Sequence, residues 1–198
     1  FSNCGGEGTE DGEDLKIEGP FVVDLLNPEA ISGLEEVELS EGRYCRIDLE
    51  FRKLEDAQLP EGVDPSDPIA GRSLYISGTR ADGTRFQMTT EVDEEFELKN
   101  EETGFLIDES ILNGILFIAF DLDQWFDGID LGAASVEVSE DESGSPLIMI
   151  DDEHNQEIQE EIEENIKVSA DLFADEDGDE DLGQEEQENP LADGTSIP

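Results

Sequence analysis

The chain is 198 residues long and carries 56 acidic against 10 basic side chains, a formal charge of -46 at pH 7. A field of that sign excludes DNA, RNA and anionic membrane surfaces as direct partners, because binding them needs Lys and Arg set against phosphate. It favours cations, basic proteins or life in strong salt, and the low hydrophobic share of 35% is clustered enough for a folded centre with polar ends.

Residues 1–18 are rich in Gly and acids and read as a tether. Their start, Phe1-Ser2-Asn3-Cys4-Gly5-Gly6, resembles the end of a bacterial or archaeal lipoprotein signal. In that family a cysteine after small residues becomes the lipidated N-terminus and leads into a Gly-rich tether. The resemblance implies lipid attachment at Cys4 and membrane contact only through that lipid; Phe rather than Met at the first position reads as a segment removed or omitted before it. Asn3 departs from the usual Gly or Ala. The competing reading is a disulfide between Cys4 and Cys45 in a secreted protein. Strand phase speaks against it: Cys45 shares a face with Ile47, Leu49 and Phe51, and so reads as a small core hydrophobe away from the N-terminus.

Residues 19–150 read as a β-sandwich domain. Phe21-Val22-Val23-Asp24-Leu25-Leu26 is a compact apolar strand closed by Asn27-Pro28, and Val37-Glu38-Leu39 leads into an alternating strand at 43–52. A loop broken by Pro60, Gly62, Pro65 and Pro68 follows. Two alternating runs, 74–79 and 85–90, then flank Asp82-Gly83, whose glycine supplies the positive φ of a hairpin turn. Strands at 95–98, 105–107 and 114–120 continue the pattern, and 136–138 with 147–150 reads as a last hairpin. A single helical turn is expected around Trp125, whose ring plugs one end of the core; the competing reading has it stack on a sugar. The longest apolar run, 115–120, suits a buried strand and falls far short of the about 20 residues of a membrane span.

Over 151–174 the period changes. Ile158, Ile162 and Ile166 recur every four residues, and the stripe continues to Ala170 and Phe173. This reads as one amphipathic helix docked on the sandwich, with self-association of that helix as the alternative. Residues 175–198 read as an acidic, calcium-loop-like segment followed by a disordered tail. Asp175, Asp177 and Asp179 stand at positions 1, 3 and 5 of a twelve-residue loop, Asp181 at 7, apolar Leu182 at 8 and Glu186 at 12. Hard oxygen ligands at this spacing resemble the calcium loop of the EF-hand and dockerin families, which implies a weak site in the roughly 0.1–1 mM range. Glu180 stands where that family has Gly, and the competing reading is a solvated acidic run.

His154 is the only histidine, so a His-based zinc cluster is excluded and there is little scope for a catalytic triad. The segments Leu25-Leu26, 37–44, 46–49 and 117–122 are similar to motifs of uncharacterised β-sandwich domains in bacterial and archaeal surface lipoproteins. That likeness covers about residues 20–131. It implies an immunoglobulin- or transthyretin-like antiparallel sandwich on a lipid anchor, and no enzymatic activity. The expectation is therefore a mainly β protein with one C-terminal amphipathic helix, at the cell surface or in the periplasm. It is expected to be a non-catalytic binding or adhesion module for a basic or glycan surface, or for a second copy of itself. The alternative is a structural subunit of a fibre or surface layer built by strand addition.

Overall fold

In the computed structural model of this chain, the residues described are 2–3, 17, 19–27, 41–55, 59–60, 62–91, 93–100, 104–108, 116–138, 145–175 and 182–196. Among them two sheets form, so the protein is mainly β and sandwich-like. The larger sheet runs β1 (Ser2–Asn3), β2 (Gly42–Phe51), β5 (Glu94–Lys99), β11 (Ala192–Ser196), β10 (Ala170–Ala174) and β7 (Leu116–Phe120) in spatial order, with β6 (Phe105–Ile107) also pairing with β2. The smaller one runs β3 (Leu74–Thr79), β4 (Arg85–Thr90), β9 (Pro146–Ile150) and β8 (Glu137–Val138).

Alternation dictates both cores. On β2 and β5 the odd and even positions diverge: Ile47, Phe96 and Leu98 are buried with Leu172 and Ala192, while Arg46 and Asp48 face water. In the smaller sheet Met88, Ile148 and Ile150 point inward to a second core. Phe51 and Phe120 touch both cores, and their rings lie 6.2 Å apart, so the two sheets share an aromatic seam. The turn Arg80–Thr84 closes β3 onto β4 as the Asp-Gly pair requires, with Gly83 at φ 89°. One pair departs from the antiparallel expectation: β4 and β9 run parallel. A hairpin cannot join parallel neighbours, and here the crossover is the long excursion through β5, β6, β7 and β8.

Helix α1 (Leu122–Trp125) starts on Asp121, whose carboxylate accepts the N–H groups of Asp123 and Gln124. It delivers Trp125 into the second core, where the indole N–H donates to Ser169 Oγ at 2.6 Å. Helix α2 (Gln156–Lys167) buries Ile162 and Ile166 against Met88, Ile148, Ile150 and Trp125.

Three expectations are corrected. The helix read over 151–174 ends at Lys167, and Ala170–Ala174 is instead a strand inside the larger sheet. Four-residue spacing is also twice the strand repeat, so Ala170 fits both patterns and the stripe does not mark the change. The tail read as disordered beyond residue 187 contains β11, a central strand, and helix α3 (Gln184–Gln187) precedes it at the end of the loop-like segment. Residues 21–26 form no strand beyond a single bridge at Val22. The Asp24 carboxylate takes the Leu26 N–H, turning the chain there and leaving Leu26 83% exposed. The segment 37–39 lies outside the described residues, as does most of the tether. The tether's first residues are nonetheless held, because Ser2 and Asn3 pair with Arg46 and Tyr44.

The polar sequence of β11 hides a packing requirement. A Cβ on Gly194 would stand 2.7 Å from the Ala170 carbonyl oxygen and 2.9 Å from that of Lys167, both backbone atoms. Gly194→Ala is therefore expected to destabilise the fold by about 1–3 kcal/mol, as overpacking does. Urea unfolding measures it, and an unchanged midpoint would contradict this seating of β11.

Candidate functional site

Cys45 is disulfide-bonded and half-buried. The sequence has one other cysteine, Cys4, which follows directly on β1. Cys4 lies outside the described residues, but within one chain it is the sole partner available. The register of β1 on β2 sets Ser2 opposite Arg46 and Asn3 opposite Tyr44, the two residues that flank Cys45. This corrects the expectation that Cys45 stands apart from the N-terminus. Strand phase placed Cys45 on the inner face, but it could not reveal that the chain's first residues return to the same strand. A sulfur in a disulfide has no valence left for a thioether, so cross-link and lipid are alternatives at Cys4.

Of the calcium-loop residues, Asp177, Asp179 and Asp181 lie outside the described residues. Asp175 is buried at the end of β10, so a strand and not a helix leads into the segment. The family pattern has a helix there. At the other end the Glu186 carboxylate accepts the Gly183 N–H at 2.7 Å and caps α3. No group of three metal-ligating side chains converges among the described residues.

The outer face of the larger sheet is a charge ladder. Arg46 on β2, Lys99 on β5, Asp193 on β11 and Asp171 on β10 stand directly opposite one another in register. Beside them Glu97 is buried, paired with Lys99 and with Arg46 at 3.2 Å. Asp171 is at the far end of the row, where its register neighbours are Asp193 and Ala119. Partial burial raises its carboxyl above the ordinary range; Asp193 and Asp121 add to the rise, against the N–H bond from Gly194.

Among the described residues, two clefts differ sharply in the charge of their walls. One, about 580 Å³, lies beside α2 and is lined by Asp127, Glu157, Glu160, Glu161 and Glu164 around Ile129. The other, about 260 Å³, is on the face of the smaller sheet turned away from α2, between Arg72, Tyr75, Gln87, Met149 and Asp151. Tyr75 and Gln87 sit there because both occupy outward positions of their strands, with Tyr75 opposite Thr89 and Gln87 opposite Met149. The wall carrying Arg72 is a run of turns at 64–72, in which Asp64 accepts from both the N–H and the hydroxyl of Ser66. These two bonds hold the Asp64 carboxyl below its usual range. On the opposite rim the Asp151 carboxylate accepts the backbone N–H groups of Glu153 and His154 and contacts His154 Nδ1 at 2.8 Å. That contact raises the imidazole pKa. The sequence marked neither cleft, because their walls come from separate strands and a loop.

Comparison with known protein families, curated proteins and solved structures finds no match to this chain.

Two outcomes follow. A carboxyl whose pKa is raised on folding makes the folded state gain stability as pH falls from the folded to the ordinary value. Asp171→Asn is therefore expected to raise the thermal midpoint at pH 7, with the gain over the parent shrinking through the carboxylate range. A gain independent of pH would refute the cause given. Cys45→Ser is expected to cost about 2–4 kcal/mol in denaturant unfolding under oxidising conditions, and nothing relative to the parent in reductant.

Proposed function

We propose that the chain is an extracytoplasmic, non-catalytic surface-binding or adhesion module built on an immunoglobulin- or transthyretin-like sandwich. The observation that carries this reading is the disulfide at Cys45. Glutathione and thioredoxin keep cytosolic thiols reduced, so a structural disulfide belongs to an oxidising exterior. The acid-rich surface adds support: it repels nucleic acid and anionic lipid, and tolerates strong salt that screens its own repulsion. A lipid at Cys4 belongs to this reading only where that sulfur is not taken by the cross-link. Intact mass separates the two, since a disulfide makes the chain two hydrogens lighter and a diacylglyceryl thioether makes it much heavier.

The second reading, a subunit of a fibre or surface layer, rests on β7. Among the described residues this apolar strand ends the larger sheet, with Ile118 exposed, and an open edge is a template for strand addition. Calcium is supported by the spacing of Asp175, Asp177, Asp179, Asp181 and Glu186 alone. Terbium luminescence that falls in Asp177→Ala and Glu186→Ala keeps it in the reading, and indifference to both removes it.

The module reading is tested with labelled, oxidised chain on envelopes of the source cells. Saturable binding that persists in strong salt is expected. A chain that stays unbound, or forms filaments in negative stain, would overturn it in favour of the second reading or of neither.

A further inference from the structure

We propose that the cleft on the outer face of the smaller sheet binds one ring of a neutral saccharide, an assignment that rests on the module reading and gives it a ligand class. Charge singles this cleft out. Its walls carry one cation, Arg72, and one carboxylate, Asp151, in a protein whose formal charge is -46. The cleft beside α2 has five carboxylates and no basic residue in its lining. An anion is repelled by the molecule as a whole and a cation is drawn to the acidic cleft. What remains for the balanced one is an uncharged ligand.

The lining matches a polyol ring. A sugar offers apolar C–H faces and a rim of hydroxyls, each of them both donor and acceptor. Here the half-buried Tyr75 ring and Met149 supply apolar contact. The Arg72 guanidinium donates, the Asp151 carboxylate accepts, and the Gln87 amide does both. A few polar groups converging around an apolar patch is the composition of a small-ligand site. At about 260 Å³ the cleft is slightly below the roughly 300 Å³ at which pockets begin to enclose whole drug-sized ligands. It therefore suits one unit of a longer chain that runs on across the open sheet.

The polar groups are also held in place before any ligand arrives. Arg72 Nη1 donates to the Pro68 carbonyl at 2.6 Å, and Gln87 Nε2 donates to the Tyr75 hydroxyl at 3.3 Å. Asp151 is fixed by two backbone N–H groups and His154. Arg72 and Gln87 are each anchored by one bond, and the three contacts of Asp151 all fall on Oδ1, so further donors and lone pairs are left: the guanidinium has five N–H groups and the carboxylate about four acceptor sites. Side chains fixed in this way lose little rotamer freedom on binding.

Affinity electrophoresis of the whole oxidised chain tests the proposal, with gels containing amylose, mannan, galactan or xylan, and polygalacturonate as the acidic comparison. At least one neutral polysaccharide is expected to retard the parent, with little dependence on salt, and polygalacturonate is not. Tyr75→Ala and Gln87→Ala are expected to weaken retardation about tenfold, the loss of a stacking surface and of a paired amide. Glu160→Gln/Glu161→Gln, in the acidic cleft, should leave it unchanged. Circular dichroism and thermal melting confirm that each variant is folded, and Gln87→Ala, on an exposed position, keeps the test open if Tyr75→Ala unfolds. No retardation by any of the four neutral polysaccharides, or retardation indifferent to both substitutions, would overturn the site. Envelope binding by the same variants separates the levels. Envelope binding without saccharide retardation removes the site and leaves the module, whereas a parent chain that binds neither removes both.

Discussion

The close approach of β11 to the junction between α2 and β10 is the contact on which the larger sheet depends. Without that strand, β5 and β10 would have no neighbour to join them, and Phe96, Leu98, Ala170 and Leu172 would lose the ladder that keeps their core closed. Only glycine fits at position 194, because two backbone carbonyl oxygens occupy the space a Cβ would need. The requirement at the centre of this sheet is smallness and not hydrophobicity. Once β11 is seated, β10 is held against β7, and β7 leads through Asp121 into α1 and the buried Trp125. The indole bond to Ser169 then ties that turn back to the α2–β10 junction.

Around this frame the protein has to distribute an unusual burden of negative charge. Some of the acids do structural work in turns and caps: Asp24, Asp64, Asp82, Asp121, Asp130 and Asp151 each accept a backbone N–H within a few residues. The scarce cations are placed where they offset most, with Arg46 and Lys99 both at the buried Glu97. Leaving a buried carboxylate without such partners is costly. The row ends at Asp171, whose pKa is raised by partial burial first and by the neighbouring Asp193 carboxylate second. This economy explains why a cleft with balanced charge stands out against the rest of the surface.

Local features were legible where a local rule decides them. The hairpin at Asp82-Gly83, the last hairpin of β8 and β9, the buried Trp125 and the stripe of Ile162 and Ile166 follow from turn chemistry and periodicity alone. Two of the three misreadings share one cause. Ala170 satisfies both a helical and a strand repeat, β11 is polar because its neighbours are backbone, and Phe21 to Leu26 looks apolar yet is turned by Asp24. The Asp24 turn is local and is masked by the apolar run around it, whereas for Ala170 and β11 the deciding partner is far away in sequence and leaves no mark in a window of residues. The parallel pairing of β4 and β9 is hidden for the same reason.

By itself the sequence determined the mainly β class, the two inward-facing sets of side chains, an amphipathic helix after the strands and a strongly acidic composition. These follow from composition and from repeats of two and of about four residues, which need no knowledge of distant contacts. The tertiary structure alone decided that the first residues return to the strand that carries Cys45, and that the polar C-terminal segment becomes a central strand. It alone assembled the cleft at Arg72, Tyr75, Gln87 and Asp151 from two strands, a loop and a turn. Those are outcomes of chain return, and chain return is set by which surfaces fit together once they are folded.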